Sequence, residues 1–128
     1  MDCGRDRSRD APPPAVVLLS SAQMTELAYG PGSPVSEDLW ASYEGSASVV
    51  YVRTDWNAAE LRDRASLLHE LVHHVQFFNN VPARCPAERE QLAYKLTLKW
   101  LREQGAADPY AVLNIDEFTM YILSQCPE

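Results

Sequence analysis

The segment His69-Glu70-Leu71-Val72-His73 constrains this chain more than any other, because its two imidazoles can meet one metal ion only if the stretch is helical. At 3.6 residues per turn the two rings lie about 40° apart in projection, on one face. Glu70 falls about 100° round from His69, within reach of a metal-activated water without being a ligand itself. Two histidines and an acid at this spacing form the donor set of a zinc-water site. The same helix must also bury a side. Leu61, Ala65, Leu68, Val72 and Val75 repeat at steps of four and three, a core-facing stripe, and His69, His73 and Gln76 lie one residue further round. Leu67, Leu71 and Phe78 add apolar area on the far side, so the pattern predicts a central, enclosed helix running to Phe78, opened by an Asn57–Glu60 cap.

The rest of the chain is one domain's worth of sequence. Its 128 residues leave room for a single hydrophobic core. A net charge of −7 opposes capture of nucleic acid or of an anionic membrane surface. No apolar run approaches the roughly 20 residues needed to span a bilayer. Pro12, Pro13 and Pro14 precede the apolar run Ala15 to Leu19, which is too short for a signal peptide. A soluble monomer acting on something other than nucleic acid is expected.

Residues 1–14 mix Arg, Asp and Pro and read as a flexible tail, with the domain spanning 15–128. Val16 to Leu19 reads as a short strand, and Ser20 with Gln23 has capping-box spacing for a helix that Gly30 and Pro31 end. The stretch from there to Glu44 is turn-like, with Trp40 and Tyr43 as an aromatic pair. Val49 to Val52 carries the strongest strand signal. Pro86 suits the first position of a helix running to Gln104, with Leu92, Leu96, Trp100 and Leu101 on its buried side. A last helix, Ile115 to Gln125, takes Asn114 as cap. Strand, helix, strand or hairpin, then three helices is an α+β layout.

A catalytic zinc takes three protein ligands, and the helix supplies two. The following helix offers Glu88 and Glu90. Glu90 shares a side with Ala93, Tyr94, Thr97 and Leu101, whereas Glu88 aligns with Gln91, Lys95 and Lys99 and sits in the first turn, where the helix dipole favours a carboxylate for structural reasons. The face argument selects Glu90, and the small Ala93 one turn on lets the two helices approach.

On His69, Glu70, His73 and the segment Glu90-Gln91-Leu92-Ala93-Tyr94, the chain resembles the gluzincin metallopeptidases, thermolysin-like zincins in which a helix bearing HExxH is followed by a helix supplying a glutamate. It is most similar to small single-domain bacterial members, with a strand before the histidine helix. The resemblance implies a zincin-like fold, a small sheet or hairpin packed on the histidine helix and two more. It also implies a zinc cofactor held by His69, His73 and Glu90, and a peptidase activity with Glu70 as general base. In addition it implies that Val49 to Val52 is a sheet edge on which an extended peptide or protein substrate lies. One position departs from the pattern: thermolysin-like enzymes place an Asp four residues after the ligand glutamate to orient a histidine, and here that place is Tyr94. Tyr94 is therefore a candidate catalytic or orienting hydroxyl. His74, Tyr121 and Arg89 join it as possible oxyanion donors, unranked. Gln76 reads either as support for a ligand or as a polar rim residue. A non-catalytic metal-binding or protein-interaction module is the alternative to a peptidase.

Cys85 and Cys126 leave two readings open. Either they form a disulfide, which points to a periplasmic or secreted protein and to an export signal, or they are independent thiols of a cytoplasmic one. Cys3 falls in the tail.

Overall fold

A computed structural model describes residues 12–37 and 39–127. Along the chain run β1 (Ala15–Leu19), α1 (Ser21–Tyr29), β2 (Ala41–Glu44), β3 (Val49–Arg53), α2 (Leu61–Phe78), α3 (Pro86–Glu103), α4 (Pro109–Leu113) and α5 (Glu117–Leu123). The α+β layout read from the sequence is present. Most of the expected tail, residues 1–11 with Cys3, lies outside the described residues. Among the described residues no helix is long and apolar enough to cross a membrane.

The strand order is β1-β3-β2. β3 runs parallel to β1, with Ala15 opposite Val49, and antiparallel to β2, with Ala41 opposite Val52. The parallel pair requires a crossover, which α1 begins and β2 completes before the hairpin into β3. This corrects the placing of Val49 to Val52 at a sheet edge: they form the centre. Val50 and Val52 are 0 % and 1 % exposed, and backbone groups at that depth need ladder partners on both sides. The edges are β1 and β2. Ala41 to Glu44, expected to be turn-like, becomes a strand because the unpaired side of β3 lies beside it.

Local signals explain most helix ends. Ser20 and Gln23 form the expected capping box, and Gly30 leaves the helix at φ 97°, a conformation that favours glycine. Asn57 does not cap α2. Its side chain instead accepts from the Ala59 N–H, while the buried Asp63 carboxylate accepts from the Asn57 N–H. The Asp63 carbonyl takes the Trp56 indole N–H, so one acid in the first turn of α2 closes the approach to it.

The predicted apolar stripe of α2 is only partly core. Ala65 and Val72 are buried, but Val75 is 48 % exposed, while Asp63, His74 and Gln76 are buried. Leu67, Leu71 and Phe78 are half-buried. The helix lies between the sheet on one side and α3 on another, and contacts with those two surfaces, rather than hydrophobicity, select what is covered. The same holds for α3. Its buried line is Ala93, Thr97, Leu98 and Leu101, whereas Leu92 and Leu96, expected inside, are 43 % and 38 % exposed. Ala93, one turn from Glu90 on the same face of α3, has no accessible surface.

Two short helices stand at this end: α4, which the sequence pattern did not predict, and α5, which lies within the predicted span Ile115 to Gln125. Asp108 and Asp116 cap them, accepting from the Ala111 and Thr119 N–H groups. Asn114 is the left-handed end of the first (φ 56°), not the start of the second. Asn tolerates that conformation better than most residues, which lets α4 end there.

Cys85 and Cys126 form a disulfide across a sequence separation of 41. It ties the start of α3 to the segment beyond α5, beside a hydrogen bond from the Gln91 side chain to the Ser124 carbonyl. Closing a loop of this length contributes about 4 kcal/mol on the chain-entropy account. Urea unfolding with and without a phosphine reductant should therefore differ by about that amount; equal midpoints would mean that the bond adds no stability.

Candidate metal centre

His69 and His73 project from one face of α2, as one helical turn between them requires, and Glu90 in the second turn of α3 faces the pair. The Glu90 Oε1 atom lies 2.7 Å from His69 Nε2 and 3.1 Å from His73 Nε2, and the two nitrogens are 3.3 Å apart. Two imidazole nitrogens each about 2.0–2.1 Å from a tetrahedral zinc would stand about 3.4 Å apart. The distance between the two nitrogens is thus close to what a shared ion needs, while Glu90 Oε1 stands at hydrogen-bond distance from both. Ligand atoms from all three residues lie within 4.8 Å of one another. Glu88 is elsewhere, accepting from the Arg84 backbone N–H and from its Nε, each at 2.8 Å. These bonds hold its carboxyl below the ordinary value.

A second layer of hydrogen bonds sets which nitrogen of His73 is available. The Gln76 amide nitrogen donates to the Arg89 carbonyl at 3.1 Å, which can only accept, so the Gln76 oxygen turns toward His73 Nδ1 at 2.9 Å. Nδ1 then carries the hydrogen, and Nε2 is left to take either a proton or a metal. Gln76 is 4 % exposed, so it is buried against His73 and does not form a polar rim. Its spacing, one turn beyond His73, was visible in the sequence; its second partner on α3 was not.

The electrostatics suit a cation. Burial works to raise the Glu90 carboxyl, but hydrogen bonds from His69 and His73, with the charge on those rings, outweigh it and bring it to about 2. Burial opposes a charge on His73, yet Glu90, then Gln76 and Glu70, leave its pKa above the ordinary histidine value. A metal at this nitrogen would therefore have to displace a proton beside an acidic carboxyl.

Glu70 stands outside the triad and lines cavities on both sides of it. The larger, about 730 Å³, runs between β2 and the start of α3, with Glu70, His73, Glu90 and Arg89 in its wall. The smaller, about 220 Å³, holds His69, Glu70 and Tyr94 with Trp40, Leu113 and Ile115. Burial raises the Glu70 carboxyl; His69 and His73 oppose that rise and Glu90 adds to it. The free edge of β2 forms one wall of the larger cleft. A Cβ on Gly45 would stand 2.6 Å from the Phe77 ring, so glycine allows the turn after β2 to close against α2.

Tyr94 packs its ring on His69, centroids 4.7 Å apart, and burial followed by the charges of Glu90 and Glu70 raises its hydroxyl pKa. Of the other oxyanion candidates, Arg89 lines the larger cleft. Tyr121 is 61 % exposed and lies in a different cavity, without Glu70, His69 or His73. His74 turns away from the triad, with both ring nitrogens engaged elsewhere. The sequence pattern did not point to Tyr43, Leu113 or Ile115, which reach these cavities from β2 and from the α4–α5 region.

A family profile described as Domain of unknown function (DUF6647) matches residues 1–127. No curated protein and no solved structure matches the chain.

Proposed function

The chain belongs to the DUF6647 family, whose description assigns no activity, and from its site we propose a gluzincin-type zinc metallopeptidase that hydrolyses peptide bonds. The observation that carries this reading is the convergence of His69, His73 and Glu90, with Glu70 beside them on an open cleft. A closed structural zinc site is ordinarily cysteine-rich. Zinc bound by these three residues would supply Lewis acidity for hydrolysis at neutral pH. His69, His73 and Glu90 hold and orient it, and Gln76 fixes the His73 ring.

Glu70 is the general base. It accepts one proton from the water that adds to the peptide carbonyl carbon, then returns it to the nitrogen as the C–N bond breaks, leaving a free acid and a free amine. Its raised pKa suits both halves of that exchange. Tyr94 lines the smaller cavity with Glu70, and its raised pKa keeps the hydroxyl protonated and able to donate to the developing oxyanion. An extended peptide takes the free backbone groups of β2, the edge strand of the cleft, in place of the β3 edge expected from the sequence. The Cys85–Cys126 bond favours work in an oxidising compartment, periplasmic or extracellular.

Zinc-loaded protein incubated with a peptide library is expected to give products with new termini by mass spectrometry. A chelator should abolish them and added zinc restore them. One tightly bound zinc per chain with no cleavage in the library would favour the non-catalytic module.

A further inference from the structure

His74 is 3 % exposed, and the chemistry of the metal site makes no use of it. Its Nε2 is 2.6 Å from the Pro12 carbonyl, which can only accept, so the hydrogen is on Nε2. In the neutral ring Nδ1 is then an acceptor, and the Tyr43 hydroxyl, 2.7 Å away, donates to it. One side chain therefore joins three segments: the metal helix, the entry to β1, and the edge strand of the cleft. Tyr43 also meets the His74 and Phe77 rings edge-on, with centroids at 5.4 and 6.3 Å.

The position of β2 matters because of what holds it. In the plane of the sheet it pairs with β3 on one side only. Perpendicular to the sheet, alternation sends Tyr43 toward α2, while Ser42 and Glu44 point to the opposite face. Tyr43 therefore supplies the polar tie between this short strand and the helix that carries His73. We propose that His74 is a positioning residue for substrate: through Tyr43 it sets the height and register of β2 over Glu70 and His73, so that a peptide paired to the strand presents its carbonyl to the site. This rests on the peptidase reading above.

The test uses Tyr43→Phe, which keeps the ring and removes only the hydroxyl, alongside His74→Gln, which is the more exposed to misfolding. Both should bind one zinc per chain. Amide exchange at residues 42–44 should speed up about tenfold with α2 unchanged, as loss of one buried hydrogen bond implies. For an extended hexapeptide, KM should rise about tenfold and by more than kcat falls. If wild-type protein cleaves the peptide while Tyr43→Phe leaves both exchange and KM unmoved, the inference is overturned and the peptidase reading stands. A fall in kcat at constant KM also overturns it, since His74 would then act on the chemistry rather than on placement. Wild-type protein that binds zinc and cleaves nothing removes the peptidase reading and the substrate role of His74 together.

Discussion

Replacing Glu70 by Gln is expected to lower kcat for peptide hydrolysis by about two to four orders of magnitude, the range that a positioned general base contributes. Zinc should stay bound, because Glu70 is not among the three residues whose ligand atoms converge. The amide is close in size and hydrogen-bonding reach to the carboxyl but cannot take a proton from water. Initial rates and zinc content measured on the same preparation check both halves. Hydrolysis at the wild-type rate in this variant would exclude Glu70 as the base and, with it, the mechanism proposed above.

Glu90→Ala should weaken zinc binding by more than about a hundredfold, the upper figure for losing even a supporting residue of a ligand. Glu88→Ala should leave it unchanged. The contrast is sharp because both acids lie in the first two turns of α3, two residues apart. One meets two imidazoles at 2.7 and 3.1 Å, and the other is spent on Arg84. Competition against a chromophoric chelator at fixed pH gives both affinities. The pH must be held, since acid returns a proton to His73 and mimics the loss of a ligand. Equal affinity in the wild type and Glu90→Ala would mean that the third ligand is another group.

The site was legible wherever its spacing lies within one helix. His69 and His73 four residues apart, Glu70 between them and Gln76 a turn further follow from 3.6 residues per turn, and the face of α3 that carries Glu90 follows from the same periodicity. Apolar content was a poorer guide to burial. Leu92, Leu96 and Val75 lie in the open, while Asp63, His74 and Gln76 are buried with hydrogen-bond partners. A polar group with its bonds satisfied can be buried, and those partners come from distant segments that no local pattern relates. The misreading of β2 has the same origin. Four residues, Ala-Ser-Tyr-Glu, carry little strand propensity, and the unpaired edge of β3 makes them a strand.

By itself, then, the sequence determined the α+β class, the two long helices, the histidine face and the preference for Glu90 over Glu88, because each depends on dihedral periodicity and on residue types a few positions apart. Tertiary structure alone decided that β3 is central and β2 the cleft edge, that Gln76 and His74 are buried with hydrogen-bond partners from other segments, and that Cys85 meets Cys126. Those outcomes depend on which surfaces meet across tens of residues, and backbone and side-chain groups removed from water there must find partners wherever the packing of the chain supplies them.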